Sequence, residues 1–363
     1  MVRNYRFELL LKFNLARAAQ GGAKLAAMKS VHVVIPDLFL PQDFAAQVCA
    51  GLSLPVLEKM LGRGHSDILE HMSVENLLCD SFGVPCAADA PIAPVSAAFD
   101  GLAAGCWMRA DPVHLSLQRD QTLVSGVLVN SEEAAAMCTS LNGHFAGQGM
   151  EFFAPHPQRW YVRLDTLPRI HTTPVSRVIG GDARRVLPAG TDALHWHQVF
   201  NEIQMLLFAH PLNEAREARG ELPVNSVWFW GGGCSADALP QKNYDCVRSD
   251  AVLAEMLAAA AGIPFLPWSG QWLQEENCDQ QLLVWTGLHS ALQRGDLLAW
   301  RTALQDFETN YAQPLWQALR YGKIAQLRLD IGGGDRLRQV RLTRGDAWAF
   351  WRLTKRLAGY ALV

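Results

Sequence analysis

The stretch Ser226–Ala236, SVWFWGGGCSA, decides how the rest of the chain is read. Val227, Trp228, Phe229 and Trp230 are strand formers, and they run straight into three glycines. Gly231, Gly233 and Ala236 fall at the G-x-G-x-x-A positions of a dinucleotide fingerprint. That fingerprint works only when a helix starts at the glycines and aims its free N–H groups at a pyrophosphate. Here CSADALPQKNYD follows, Pro240 comes seven residues after Gly233, and the next helical pattern waits for Ser249. No Lys-Ser or Lys-Thr follows the glycines, which excludes a Walker loop. Gly231, Gly232 and Gly233 therefore read as a turn at a strand exit, where backbone passes close to a cleft.

Around that stretch the composition is that of a globular protein. The 363 residues are half apolar and 18% charged, enough for one large or two medium domains. A net charge of -3 provides no basic stripe for nucleic acid. No apolar run reaches the roughly 18 residues of a membrane span, so a soluble chain with no membrane partner is expected. The eight cysteines include no C-x-x-C pair, so zinc ribbons and thioredoxin-like sites are not expected. Ordinary thiols in a reducing cytoplasm are the expectation. Residues 1–27 carry Arg3, Arg6, Lys12, Arg17 and Lys24 against Glu8, and read as an extension ahead of a start at Met28.

The periodicities alternate strand and helix at both ends of the chain. Val31–Ile35 is a buried strand ending at Pro36-Asp37, Leu54–Met60 is helical, and the Ala/Pro/Gly-rich region 85–105 reads as loop. Met108–His114, Thr122–Val129 and Trp160–Leu164 are strands, with a helix capped by Ser131 among them. Trp196, Val199, Ile203 and Leu206 mark a helix entered at Asp192. Beyond Ser226–Ala236, Ser249 caps another helix, Ile263–Leu266 is a strand, and 281–294 and 296–321 are helical. A hairpin around Gly332–Gly334 precedes a terminal helix. The expected fold is an α/β core of residues 28–107 and 225–363, interrupted by an inserted α+β domain at 108–224.

The segment His210–Gly233, HPLNEAREARGELPVNSVWFWGGG, resembles the archaeal-type cofactor-independent phosphoglycerate mutases. The matching positions are Asn213, Arg216, Gly220, Asn225 and Gly231 to Gly233. CWMRADPVHLSLQRDQTLVSG resembles the family's Arg-x-Asn segment, with Arg109 retained and Asp111 in place of Asn. VHVVIPDLFLP resembles the opening strand that delivers a metal-binding Asp, here Asp37. The order of segments agrees from Met28 to about Gly270. The chain looks closer still to a proteobacterial group of RpfE-type regulatory proteins, distant relatives of those mutases. The resemblance implies an alkaline-phosphatase-like mixed sheet sandwiched by helices, two divalent ions (Mn²⁺ or Mg²⁺), a phosphorylated serine and an inserted domain that grips the substrate.

Two adjacent metals need roughly six to eight carboxylate, imidazole and hydroxyl ligands. After His210 the chain has a single histidine, His289, and Trp285 stands four residues before it where the family's Asp is expected. LRLDIGGGD supplies Asp330 with no histidine beside it. Ser66 in GRGHSD is a candidate nucleophile, with Ser81 a second, and His65 and His71 frame a polar helix. His195 and His197 lie on different sides of a helix, and Asp296, Arg294 and His289 read as a capped turn. Arg109, Asp111, Arg119, Arg163, Asn213 and Arg216 are candidates for a phosphate or carboxylate. Three readings follow: a regulatory binder of a small phosphorylated or carboxylate ligand or a protein partner, without a two-metal centre; an active metal-dependent phosphomutase or phosphatase; or a structural scaffold.

Overall fold

Strand-length apolar runs build two sheets in the computed structural model, which describes residues 29–70, 73–86, 89–275, 278–333 and 336–360. The 1–27 extension, Met28 and His71 lie outside the described residues. Along the chain the strands are β1 (Ser30–Ile35), β2 (His65–Glu70), β3 (Cys106–Gln118), β4 (Gln121–Gly126), β5 (Met150–His156), β6 (Arg159–Leu164) and β7 (Ile170–His171). They continue with β8 (Ala189–Gly190), β9 (Ser226–Cys234), β10 (Cys246–Ser249), β11 (Phe265–Pro267), β12 (Gln280–Val284), β13 (Gln326–Gly333) and β14 (Arg336–Thr343). The main sheet runs β11-β10-β12-β1-β13-β14-β2. Its first five strands are parallel, and β14 and β2 are antiparallel additions at one edge. This is a mixed α/β architecture with helices on both faces.

β1 shows why both faces are covered. Val31, Val33 and Ile35 point into one apolar cluster with the helices Pro55–Arg63 and Leu297–Phe307, while Val34 points into the other. A strand buried on both sides reads as a continuous apolar run, as VVI does here. The second sheet is β4-β3-β6-β5 with β9 paired antiparallel to β3. Helix Ala193–Phe208 lies on it, Trp196 meeting Phe229 edge-on at 4.9 Å. No helix among the described residues is long and apolar enough to cross a membrane.

The glycines of the opening stretch are not a turn. They continue β9, with Gly233 opposite Trp107, and the register shifts where Gly231 takes φ 67°. They make room for a helix, Ile92–Phe99, in the region expected to be loop. A Cβ on Gly233 would stand 2.6 Å from Cβ of Pro91, and one on Gly231 would stand 3.3 Å from Cβ of Ile92. Helix 92–99 was missed because IAPVSAAF is too short and too uniformly apolar to display a period, and it is buried almost all round. Gly233→Val is therefore expected to destabilise by about 1–3 kcal/mol. Gly270→Ala, which meets nothing within 4 Å, is expected to be near neutral in the same urea titration.

Other expectations change as well. HSDILE is an edge strand, not a polar helix, because β14 supplies its pairing partner. QQLLV is the parallel strand β12, not the start of a helix. The terminal helix is one turn, Arg344–Ala347. Helix Ser131–His144 is capped by Asn130, with Glu133 completing the capping box. Ser249 ends β10 and accepts from the Ala251 N–H instead of capping the next helix. Four of the eight cysteines are not thiols: Cys106–Cys234 joins β3 to β9, and Cys246–Cys278 closes a separation of 32 residues. Neither pairing shows in sequence spacing, because strand register and loop packing bring the partners together.

Candidate functional site

The parallel strands β1, β10, β12 and β13 end on one edge of the main sheet, where open α/β sheets bind ligands. Just past β1, β10 and β12 lie Asp37, Ala251 and Thr286, and Gly332 stands near the end of β13. With Ser73, Glu75, Ser176 and Arg177 these residues line a cavity of about 530 Å³. A smaller, more polar lobe of about 100 Å³ shares Ser73 and Arg177 with it and is lined by Asn76, Asp89, Thr172 and Gly231. The cavity therefore lies between the main sheet and the segment following β7.

Asp37 occupies the left-handed backbone region at φ 60° immediately after β1, uncommon for a residue with a side chain. Trp300 Nε1 donates to its carbonyl at 3.2 Å. Its carboxylate Oδ2 lies 2.7 Å from Nδ1 of His289. That hydrogen bond raises the His289 pKa above the usual imidazole value, outweighing the burial that opposes it. The pair can pass a proton to or from a bound group. Beside it, Asp250 accepts from the Thr286 N–H at 2.7 Å and from the Thr286 hydroxyl at 3.1 Å. Burial pushes the Asp250 carboxyl up despite those bonds. Glu75 accepts from the Ser176 hydroxyl through Oε1 at 2.6 Å, whereas its buried Oε2 has no hydrogen-bond partner. An unsatisfied carboxylate oxygen beside a cavity is suited to a donor carried by a ligand or a water.

Of the residues singled out from sequence, Asp37 and His289 meet in this cavity, although 252 positions separate them. Gly231 borders the smaller lobe; Gly232 and Gly233 face Met108 and Pro91. Ser66 lies elsewhere, on the edge strand β2, where its hydroxyl accepts from Arg338 at 2.9 Å. Ser81 donates to the Leu77 carbonyl inside its own helix. Arg109 and Asp111 pair with each other in the second sheet at 2.5 Å, and Trp230 Nε1 donates to the free carboxylate oxygen at 2.7 Å. The Arg109 guanidinium also lies over the Tyr161 and Trp230 rings. Arg119 stands at φ 51° beyond the end of β3, and Arg163 is exposed on β6. Asn213 is buried and bonds the carbonyls of Leu207 and Val224. Arg216 is buried against Glu133 and the carbonyls of Leu128 and Leu222. The six polar candidates thus do not converge on one surface.

Sequence reading missed Glu75, Ser176, Arg177 and Thr286. Thr286 could have been found had QQLLV been taken as a strand, since the residues just beyond a parallel strand lie at the ligand edge. Ser73 carries an N-cap signal and does cap helix Val74–Ser81, accepting from the Asn76 N–H at 3.1 Å.

The fit to two divalent ions is poor. Among the described residues no group of three or more His, Cys, Asp or Glu is placed to hold a metal. Asp37 Oδ2 and His289 Nδ1 are bonded to each other, and these two residues alone make no two-metal ligand set.

No family model matches the chain. It is similar to curated 2,3-bisphosphoglycerate-independent phosphoglycerate mutases of archaea. That of Methanosarcina barkeri is 25% identical over 114 residues, 31% of this chain and 29% of the relative. That of Methanothrix thermoacetophila is 29% identical over 113 residues, 31% of this chain and 28% of the relative. The match thus spans under a third of each relative's length. Among solved structures, the PH0037 protein from Pyrococcus horikoshii shares the fold, with a TM-score of 0.53 at 13% identity over 92% of both chains. The cofactor-independent phosphoglycerate mutase from Thermoplasma acidophilum aligns over 93% of this chain and 95% of its own at a TM-score of 0.46 and 14% identity.

Proposed function

We propose that this protein is a phosphoglycerate-mutase-like binder of a small phosphorylated or carboxylate ligand, acting in regulation and not through a two-metal centre. The observation that carries the reading is the 2.7 Å Asp37–His289 pair at the carboxyl edge of the sheet. Asp37 favours the protonated form of the His289 imidazole, which offers a charge-assisted donor to an anion. Thr286, Ser73 and Ser176 surround the cavity with hydroxyls, and Asp37 and Glu75 offer acceptors to the hydroxyl groups such a ligand carries. A small hydroxylated acid meets both requirements.

The partial similarity to archaeal mutases favours a second reading, an active metal-dependent phosphomutase or phosphatase. One experiment separates the two. The purified protein is titrated with 3-phosphoglycerate while tryptophan fluorescence is followed, then assayed for mutase turnover with Mn²⁺. Saturable binding without turnover is expected, with His289→Ala weakening binding about tenfold or more through loss of a charge-assisted hydrogen bond. Stoichiometric bound metal with turnover abolished by Asp37→Ala would establish the enzyme reading instead. Binding unaffected by His289→Ala would remove the ligand from this cavity.

A further inference from the structure

Three large apolar side chains stand exposed in one turn near the end of the described chain. Phe350 is 81% exposed, Trp351 68% and Leu353 92%, following the short helix Arg344–Ala347. Isolated exposed leucines are ordinary, but three large side chains within four positions call for an occupant. The turn is also built. Asp346, buried, accepts from the Thr343 N–H and hydroxyl at 2.9 and 2.8 Å. Arg352 reaches back from within the turn to donate to Asp346 at 2.8 Å and to the Arg63 carbonyl. Ala347 and Ala349 are buried beneath it. The hydrophobic tip is thus held outward by a fixed polar base.

Charge identifies the occupant. The chain carries -3 overall, yet residues 344–356 contain Arg344, Arg352, Lys355 and Arg356 against Asp346 alone. Arg320 adds a cation stacked on Trp348, at 4.3 Å from the ring centroid. Arg352 is held by Asp346 and Arg356 lies 3.6 Å from Glu58, which leaves the exposed Arg344 and Lys355 beside the tip. Exposed aromatic and leucine side chains flanked by these cations match an anionic lipid surface: rings enter at headgroup depth and the cations meet phosphates. A protein partner would need a cavity for the tip together with acidic groups around it. The expectation of no membrane partner rested on the absence of a long apolar run, and that criterion detects only spanning helices. We propose that the turn Trp348–Arg356 docks the protein peripherally on anionic membranes.

The test is co-sedimentation of the full chain with phosphatidylcholine vesicles, with and without about 30% phosphatidylserine. Binding is expected only with phosphatidylserine and is expected to be lost at high salt, as headgroup attraction is screened. The triple variant Phe350→Ser, Trp351→Ser, Leu353→Ser is expected to stay in the supernatant with an unchanged circular dichroism spectrum. Arg344→Glu with Lys355→Glu, which spares the aromatic residues, is expected to weaken binding about tenfold or more. Vesicle binding by both variants equal to that of the parent overturns the proposal. So does a parent that ignores phosphatidylserine vesicles, or one that instead forms a dimer that the triple variant does not.

Discussion

Arg216→Ala is expected to lower the unfolding free energy by about 3 kcal/mol, whereas Arg219→Ala, its neighbour on the same carboxylate, is expected to cost under about 1 kcal/mol. The two arginines differ in burial, not in chemistry. The Arg216 side chain is 2% exposed and meets Glu133 at 2.5 Å; that of Arg219 is 46% exposed and meets Glu133 at 2.6 Å. Removing the buried partner strands a carboxylate that is itself buried and frees the Leu128 and Leu222 carbonyls. Breaking a buried pair costs about 3–5 kcal/mol, and the low end applies because Arg219 still neutralises Glu133. Urea titration of the two variants checks this. A small cost for Arg216→Ala, joined to loss of 3-phosphoglycerate binding, would return Arg216 to the ligand.

A second large effect is expected beneath the main sheet. Asp330, fully buried on β13, accepts from His32 Nε2 at 2.9 Å and from Arg328 at 3.0 and 2.6 Å. An ionised carboxylate only accepts, so Nε2 of His32 carries the proton. A neutral ring then accepts at Nδ1 from the Tyr244 hydroxyl, 2.8 Å away. Burial lowers the His32 pKa and keeps the ring neutral, against the pull of Asp330. Burial pushes the Asp330 carboxyl up, but the bonds from His32 and Arg328 prevail and hold it below the ordinary value. Asp330→Asn puts an NH₂ group opposite these donors and is expected to cost about 3 kcal/mol at pH 7. The sign with pH follows from the depressed carboxyl. Its contribution is present above the unfolded value of 3.8 and is lost as pH falls through the lower folded one. The gap between parent and variant is therefore expected to narrow at pH 3. His32 adds acid sensitivity of the same sign earlier, as pH falls below 6.5 toward its lowered folded value. A gap independent of pH would mean that Asp330 is not ionised in the folded protein.

Much of the frame was legible locally. VHVVI announced a buried strand, Trp196 to Leu206 a helix, and Ala325 to Thr343 a hairpin. The misses share a cause. QQLLV and IAPVSAAF are apolar runs too short to show a period, and what distinguishes them is which neighbour covers them. For QQLLV the neighbours are β1 and β10, and for IAPVSAAF they are β9 and the helix Val252–Ala260.

The candidate site divides in the same way. Asp37 and His289 could be named from residue type and position, but only folding sets them 2.7 Å apart. Arg109, Asn213 and Arg216 could be named as polar groups, but burial converts them into internal partners of Asp111, Val224 and Glu133. SVWFWGGGCSA shows the division most plainly. Its residues determined a buried strand and excluded a phosphate-binding helix, because side-chain bulk and the missing helix act within a few positions. That its glycines extend β9 and admit a helix from residues 92–99 was decided by contacts more than a hundred residues apart in the chain, for which sequence spacing carries no signal.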